Sequence, residues 1–286
     1  MEEKTTQAQE PYSILATGSR PDERTRVLKH GESFGVFDRG GAIRSEGLGE
    51  LGLFHRGTRF LNTFEIFLDN QRPLLLSSTV RRDNALIVDL TNPDLAGGKA
   101  LPRDTIHVFT TSFLWEGVWY ARLRLHNYSL LPVEIHLAIR FGADYADIFE
   151  VRGTPRQRRG HKLDPVVGRG TAVLGYEGLD GEVRRTRLTF SPAPAELTDS
   201  LAAFDLRLPP RGEETIDLTV AFESGRDEPR PLPFAEALER STATLEARRA
   251  GIASVHSSNE RFDDWLGRSA TDLQMMATET RHGLYP

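Results

Sequence analysis

The 286-residue chain contains no cysteine. That excludes disulfides, thiolate metal sites and a Cys/His nucleophilic pair, and it suits a reducing compartment. It also lacks an apolar run long enough to span a bilayer and a charged-then-apolar leader at its start. The expected location is therefore cytoplasmic, with no membrane attachment. Basic charge is not in excess: 36 Lys and Arg face 41 Asp and Glu, a net charge of −5. Nothing in that balance draws the chain toward nucleic acid or anionic lipid. There is no G-x-S-x-G elbow and no fixed-period repeat. No His/Asp/Glu cluster has a recurrent ligand spacing, so neither a metal nor a cofactor is expected. Asn127-Tyr128-Ser129 fits the glycosylation pattern, but without secretion the match is incidental.

What the chain has in quantity is alternation. Trp119, Ala121, Leu123 and Leu125 alternate with Tyr120, Arg122, Arg124 and His126, and Val133, Ile135, Leu137, Ile139 and Phe141 alternate with Glu134, His136, Ala138 and Arg140. A period of two buries one face of a strand and wets the other. The pair reads as an antiparallel hairpin joined through Pro132, which lacks an N–H and suits a strand start. Phe34–Phe37, the turn Asp38–Gly41 and Ala42-Ile43 suggest an earlier hairpin. Further strands follow at Thr63–Asp69, from Ile106 toward Trp115, at Phe204–Leu208 and at Thr215–Phe222. Many strands separated by Gly, Pro, Asn and Asp predict a mainly β fold, an antiparallel two-sheet sandwich followed by a C-terminal helical linker.

Residues 1–30 are polar and lack a steady period, so they read as a flexible leader. The sandwich is expected over 31–224. After Pro229-Arg230-Pro231 the period becomes helical, with Phe234, Leu238, Ser241 and Leu245 on one face. Ser257 and Glu260 form a capping-box signal for a second helix with Phe262, Trp265, Leu266, Ser269, Leu273 and Met276 on one stripe.

Several blocks carry a resemblance: Gly52-Leu53-Phe54-His55-Arg56-Gly57-Thr58-Arg59-Phe60-Leu61, Leu75-Leu76-Ser77-Ser78, Asp83-Asn84-Ala85-Leu86, Asp89-Leu90-Thr91-Asn92-Pro93-Asp94, Asn127-Tyr128-Ser129 and Asp144-Tyr145-Ala146-Asp147-Ile148-Phe149-Glu150-Val151-Arg152-Gly153. In this order they resemble the N-terminal domain of bacterial glycogen-debranching, amylo-α-1,6-glucosidase-like proteins, from about Gly31 onward. The family usually carries an acidic residue where this chain has Gly57. The resemblance implies a sandwich of the supersandwich type. It also implies that residues 231–286 are linker helices leading into the start of an (α/α)6 barrel, truncated here, in which the glycosidase chemistry resides. The implied partners are that helical barrel and, through the full-length enzyme, an α-glucan or oligosaccharide. Alone, the chain is expected to be inactive.

Glycoside hydrolysis needs two carboxylates flanking the scissile bond, about 5–5.5 Å apart for retention and about 6.5–9.5 Å for inversion. Asp144, Asp147 and Glu150 are spaced three apart, and neighbours on one short turn do not flank a sugar. No catalytic residue is assigned. Asp144, Asp147, Phe149, Glu150, Arg152 and Trp115 are candidates for a substrate rim or a domain interface, with helix capping and salt bridges as the plain alternative. Gly47-Leu48-Gly49-Glu50-Leu51-Gly52 matches a dinucleotide pattern but lacks the strand-then-helix setting, and Glu46 and Glu50 would repel phosphate. The basic run Arg152, Arg156, Arg158, Arg159 and Lys162 lacks interleaved aromatics and reads as a solvated loop. His126 and His136 could meet across the expected hairpin, but two imidazoles make a poor metal site. Trp119 shares parity with the core, whereas Trp115 and Tyr120 stay open between core and sugar platform. A free-standing carbohydrate-binding or docking module is the alternative to an accessory domain.

Overall fold

The computed structural model describes residues 14–15, 25–44, 49–81, 84–95, 101–249, 255, 257–276, 278–280 and 282–285. Nearly half of them lie in two facing layers of antiparallel strands. One layer is a single sheet in the order β1 (Ile14–Leu15), β7 (Leu74–Val80), β8 (Leu86–Thr91), β9 (Ile106–Trp115), β10 (Val118–Asn127), β17 (Glu213–Ser224), β14 (Val183–Ser191), β13 (Thr171–Glu177), β12 (His161–Val167). Against it lie two four-stranded sheets. One is β15 (Glu196–Leu197), β16 (Leu201–Leu208), β11 (Val133–Gly142), β6 (Thr63–Leu68); the other is β2 (Arg26–His30), β3 (Ser33–Phe37), β4 (Gly52–His55), β5 (Thr58–Leu61). A small ribbon joins β18 (Thr278–Thr280) to β19 (Gly283–Tyr285).

The core forms because alternate residues of each layer point at the other. Trp119, Leu123, Leu188 and Val220 from the large sheet meet Phe64, Leu137, Ile139 and Phe204 from one small sheet and Phe37, Leu53 and Phe60 from the other. Trp119 sits with Phe64 at 4.9 Å edge to face and Phe37 at 5.8 Å. This is the two-sheet sandwich read from the period-two pattern, and Trp119 is core as expected.

Two strand pairings differ from expectation. β10 and β11 are consecutive but do not pair; β10 lies between β9 and β17 in the large sheet, and β11 lies between β16 and β6 in the facing one. Buried Asn127 explains the crossing. Its amide donates to the carbonyls of Leu131, Leu208 and Pro209 while its oxygen accepts from Ser129 N–H, so the connection is bent between layers instead of closing a hairpin. His126 and His136 therefore lie on different sheets, and His136 bonds Asp205 instead. Likewise β3 pairs with β2 and β4, and after the Asp38–Gly41 turn Ile43 bridges to Phe64 rather than returning to β3. The sheet also begins earlier than residue 31, since Arg26–His30 is a paired strand. Residues 1–13 and 16–24 of the expected leader, and Gly47-Leu48 of the glycine-rich motif, lie outside the described residues.

The outer face of the large sheet is partly covered by α2 (Phe234–Arg249). Phe234 and Ala237 pack on Ile87, Phe113, Val118 and Tyr120, and Tyr120 Oη accepts a hydrogen bond from Leu232 N–H at 3.1 Å. Tyr120 is thus interior to the helix–sheet seam. The helix α3 (Glu260–Met276) is capped by Asn259, whose side-chain oxygen accepts from Arg261 and Phe262 N–H; Ser257, the expected cap, instead accepts from Asn259 N–H. Among the described residues no helix is long and apolar enough to cross a membrane.

Candidate functional site

The stretch after β11 is held down along β5. Ala146 C=O accepts from Arg59 N–H at 2.8 Å, Tyr145 N–H donates to Arg59 C=O at 3.1 Å, and Ile148 N–H donates to Gly57 C=O at 2.8 Å. Gly57 (φ +75°) follows Arg56 (φ +47°) in the two-residue turn between β4 and β5, a geometry that favours glycine. Gly57, where the resemblance implies an acidic residue, therefore lies where this segment docks.

The side chain of Arg59 adds polar contacts to this backbone pairing. Its guanidinium grips Asp144 at two points, 3.1 and 2.5 Å, and also donates to the carbonyls of Gly49 and Leu51. Such a planar two-point pair fixes orientation as well as charge. Tyr145, at φ +53°, is a non-glycine in the left-handed region. Its hydroxyl bonds Leu174 C=O at 2.8 Å and Thr186 Oγ1 at 3.0 Å and accepts from Thr186 N–H at 3.1 Å, so three contacts outweigh the backbone cost. Burial is the main cause of its phenol being pushed up to about 12.

Asp147 caps the single-turn α1 (Ile148–Val151) by accepting from Phe149 and Glu150 N–H at 2.8 and 3.0 Å. Partial burial works to raise its pKa. The two backbone donors and Arg156, which pairs with it, outweigh that and hold it below the usual carboxylate range. Arg159 pairs with Glu150 at 3.2 Å and donates to Asp144 C=O at 2.8 Å. Across from them Arg184 grips Asp180, whose pKa falls to about 2, chiefly through that guanidinium and then through Glu182 N–H. Between these walls lies an open groove of about 290 Å³, floored by Tyr176, which stacks on Tyr145 at 5.3 Å and 9°.

Of the six sequence candidates, the structure brings Asp147 and Glu150 to the groove wall and sets Asp144 behind it on Arg59. Phe149 stays exposed and Arg152 closes α1 at the surface. Trp115 is not brought to this place. It packs with the α2 seam and lies 4.6 Å from the His30 ring. The basic run supplies groove arginines through Arg156, Arg158 and Arg159 rather than an unattached solvated loop. Sequence reading missed Tyr176, Asp180 and Arg184; Asp180-Gly181 was legible only as a turn signal, and nothing in linear order ties it to Asp147. Among the described residues no group of three metal-ligating side chains converges.

Residues 28–219 match the family described as the N-terminal domain of some glycogen debranching enzymes. The chain belongs to this family. The groove-lining residues and the strands from β3 to β16 fall within the matched span of this debranching-enzyme domain, while β1 precedes it and β2 and β17 cross its ends. Comparison with curated proteins finds no match. Among solved structures, a human-microbiome protein provisionally described as a kojibiose phosphorylase superposes with a TM-score of 0.59 at 10% identity, covering 94% of this chain and 42% of that one. The debranching-type domain thus spans less than half of that protein's length, and the two share a fold. A protein from Escherichia coli K12, provisionally described as an aldose 1-epimerase, aligns with a TM-score of 0.39 at 10% identity over 70% of this chain and 99% of that one.

Proposed function

We propose that this chain is the β-sandwich accessory domain of a cytoplasmic glycogen-debranching, amylo-α-1,6-glucosidase-like glycoside hydrolase acting on α-glucans. In this reading the two catalytic carboxylic acids belong to a helical barrel outside this sequence, and no cofactor takes part. The observation that carries it is the family match over 28–219, a domain named for its place in debranching enzymes. The 144–152 segment serves as the surface that meets the barrel and shapes the rim of its sugar site. Support comes from how firmly it is fixed: Arg59, Tyr145 and the Asp147 cap give it one conformation before any partner arrives. Its acids are already committed to holding the segment in shape: Asp144, Asp147 and Glu150 each pair with an arginine, and Asp147 also caps α1.

A second reading, a docking module for a separately encoded glycosidase, is favoured by α3. Phe262, Trp265, Leu273 and Met276 on this helix are exposed, an apolar face suited to a helical neighbour. Incubating the pure chain with a branched dextrin and measuring free glucose tests the main reading. No glucose above background is expected; sustained turnover would overturn the accessory assignment.

A further inference from the structure

We propose that the groove between α1 and the β13–β14 turn is a binding subsite for a neutral α-linked oligosaccharide, with Tyr176 as its floor and Arg158 as its principal free donor. The proposal deepens the accessory-domain reading and rests on it for the class of sugar. Three observations carry it.

The first is shape. The groove is concave, offers about 290 Å³ and has an exposed leucine, Leu179, at its lip. That volume is near the lower end of small-ligand sites.

The second is its floor. Tyr176 stacks on buried Tyr145, and its hydroxyl accepts from Gly160 N–H at 2.7 Å, so the ring is locked in place. The negative face of a fixed aromatic ring attracts the partly positive C–H hydrogens of a pyranose, and no ordering cost is left for binding.

The third is charge. Asp147, Glu150 and Asp180 are each matched by Arg156, Arg159 and Arg184. Charges cancelled pairwise still present donors and acceptors at fixed angles, as vicinal hydroxyls require. An anion would instead meet a carboxylate beside every paired arginine. Arg158 lines the same groove and has no hydrogen-bond or ion partner among the described residues. Its five N–H donors are open to sugar oxygens.

The test is calorimetric titration of the intact chain with maltotetraose, with inorganic phosphate as the parallel probe. Saturable maltotetraose binding is expected, weakened at least fivefold by Arg158→Gln and abolished by Tyr176→Leu, with phosphate neither binding in the groove nor displacing the sugar. Arg158 is exposed, so R158Q remains informative if the Tyr176 variant misfolds. Absence of sugar binding, binding indifferent to R158Q, or phosphate binding that R158Q removes would each overturn the proposal. Failure here with dextrin left uncleaved removes only the subsite. Cleavage of dextrin by the chain removes the accessory-domain reading itself.

Discussion

Trp119 and Trp265 are the same side chain in opposite settings. The first is 1% exposed, enclosed by Phe37, Phe64 and the inner faces of both layers; the second is 63% exposed on α3, with Phe262 at 5.9 Å as its ring neighbour. The sandwich is finished by its own residues, whereas α3 holds to it by polar threads. Arg268 donates to the carbonyls of Val80 and Arg81, and Lys29 Nζ reaches Met276 C=O at 3.4 Å. An amphipathic stripe contributes stability only where it is covered, so the two regions carry apolar residues for different ends.

Substitutions can break or sharpen that contrast. Trp119→Ala should cost about 3–5 kcal/mol, because the site cannot collapse around so large a loss. Urea denaturation reads it directly, and a change below 1 kcal/mol would mean that the two layers are not packed as described. Arg59→Met removes both bonds to Asp144 and leaves the Gly49 and Leu51 carbonyls without that donor, for about 2–3 kcal/mol. Protease should then cut near 144–152 sooner; unchanged cleavage would show that the backbone pairing with β5 suffices alone.

Acid should loosen the seam between strands and helices at His30. Burial, then Arg248 and Lys29, lowers the pKa of His30 to about 4. The folded state therefore binds fewer protons than the unfolded chain between about pH 6.5 and 4. Stability contributed by neutral His30 is complete above the unfolded value and is lost as pH falls through that window, up to about 2–3 kcal/mol. His30→Gln should flatten the stability-versus-pH curve there, and an unaltered slope would reassign the effect to other groups, among them His55, also lowered chiefly by burial. Tyr145→Phe strips the hydroxyl from Leu174 and Thr186 and should cost about 1–2 kcal/mol by thermal unfolding. Smallest of all, Trp265→Ala should change stability by less than about 0.5 kcal/mol. A loss comparable to that of Trp119 would mean α3 buries its stripe within this chain.

The groove shows why a site is harder to read than a fold. Asp144, Asp147 and Glu150 stood out by spacing, and the basic run by composition. Their pairing, Arg156 with Asp147 and Arg159 with Glu150, depends on how the chain turns after α1. Tyr176, Asp180 and Arg184 reach the same place only because β14 pairs with β17 and β13 with β14 in the large sheet. Trp115 looked like a companion of these residues through aromatic content, and the hairpin joining β9 to β10 carries it to the α2 seam instead.

The amino-acid order by itself determined strands such as β10, β11 and β17, the core-facing parity of Trp119, Leu123 and Leu125, and the switch to helix after Pro231, since each follows from the period of apolar residues over a few neighbours. It did not determine which strands pair. Consecutive β10 and β11 part company because one buried asparagine bonds the nearby carbonyl of Leu131 and the sequence-distant carbonyls of Leu208 and Pro209, and the β3 turn releases its chain to the neighbouring small sheet. Those choices, and the groove they assemble, belong to the tertiary structure, because side-chain periodicity records which face of a strand is wet but not which strand lies beside it.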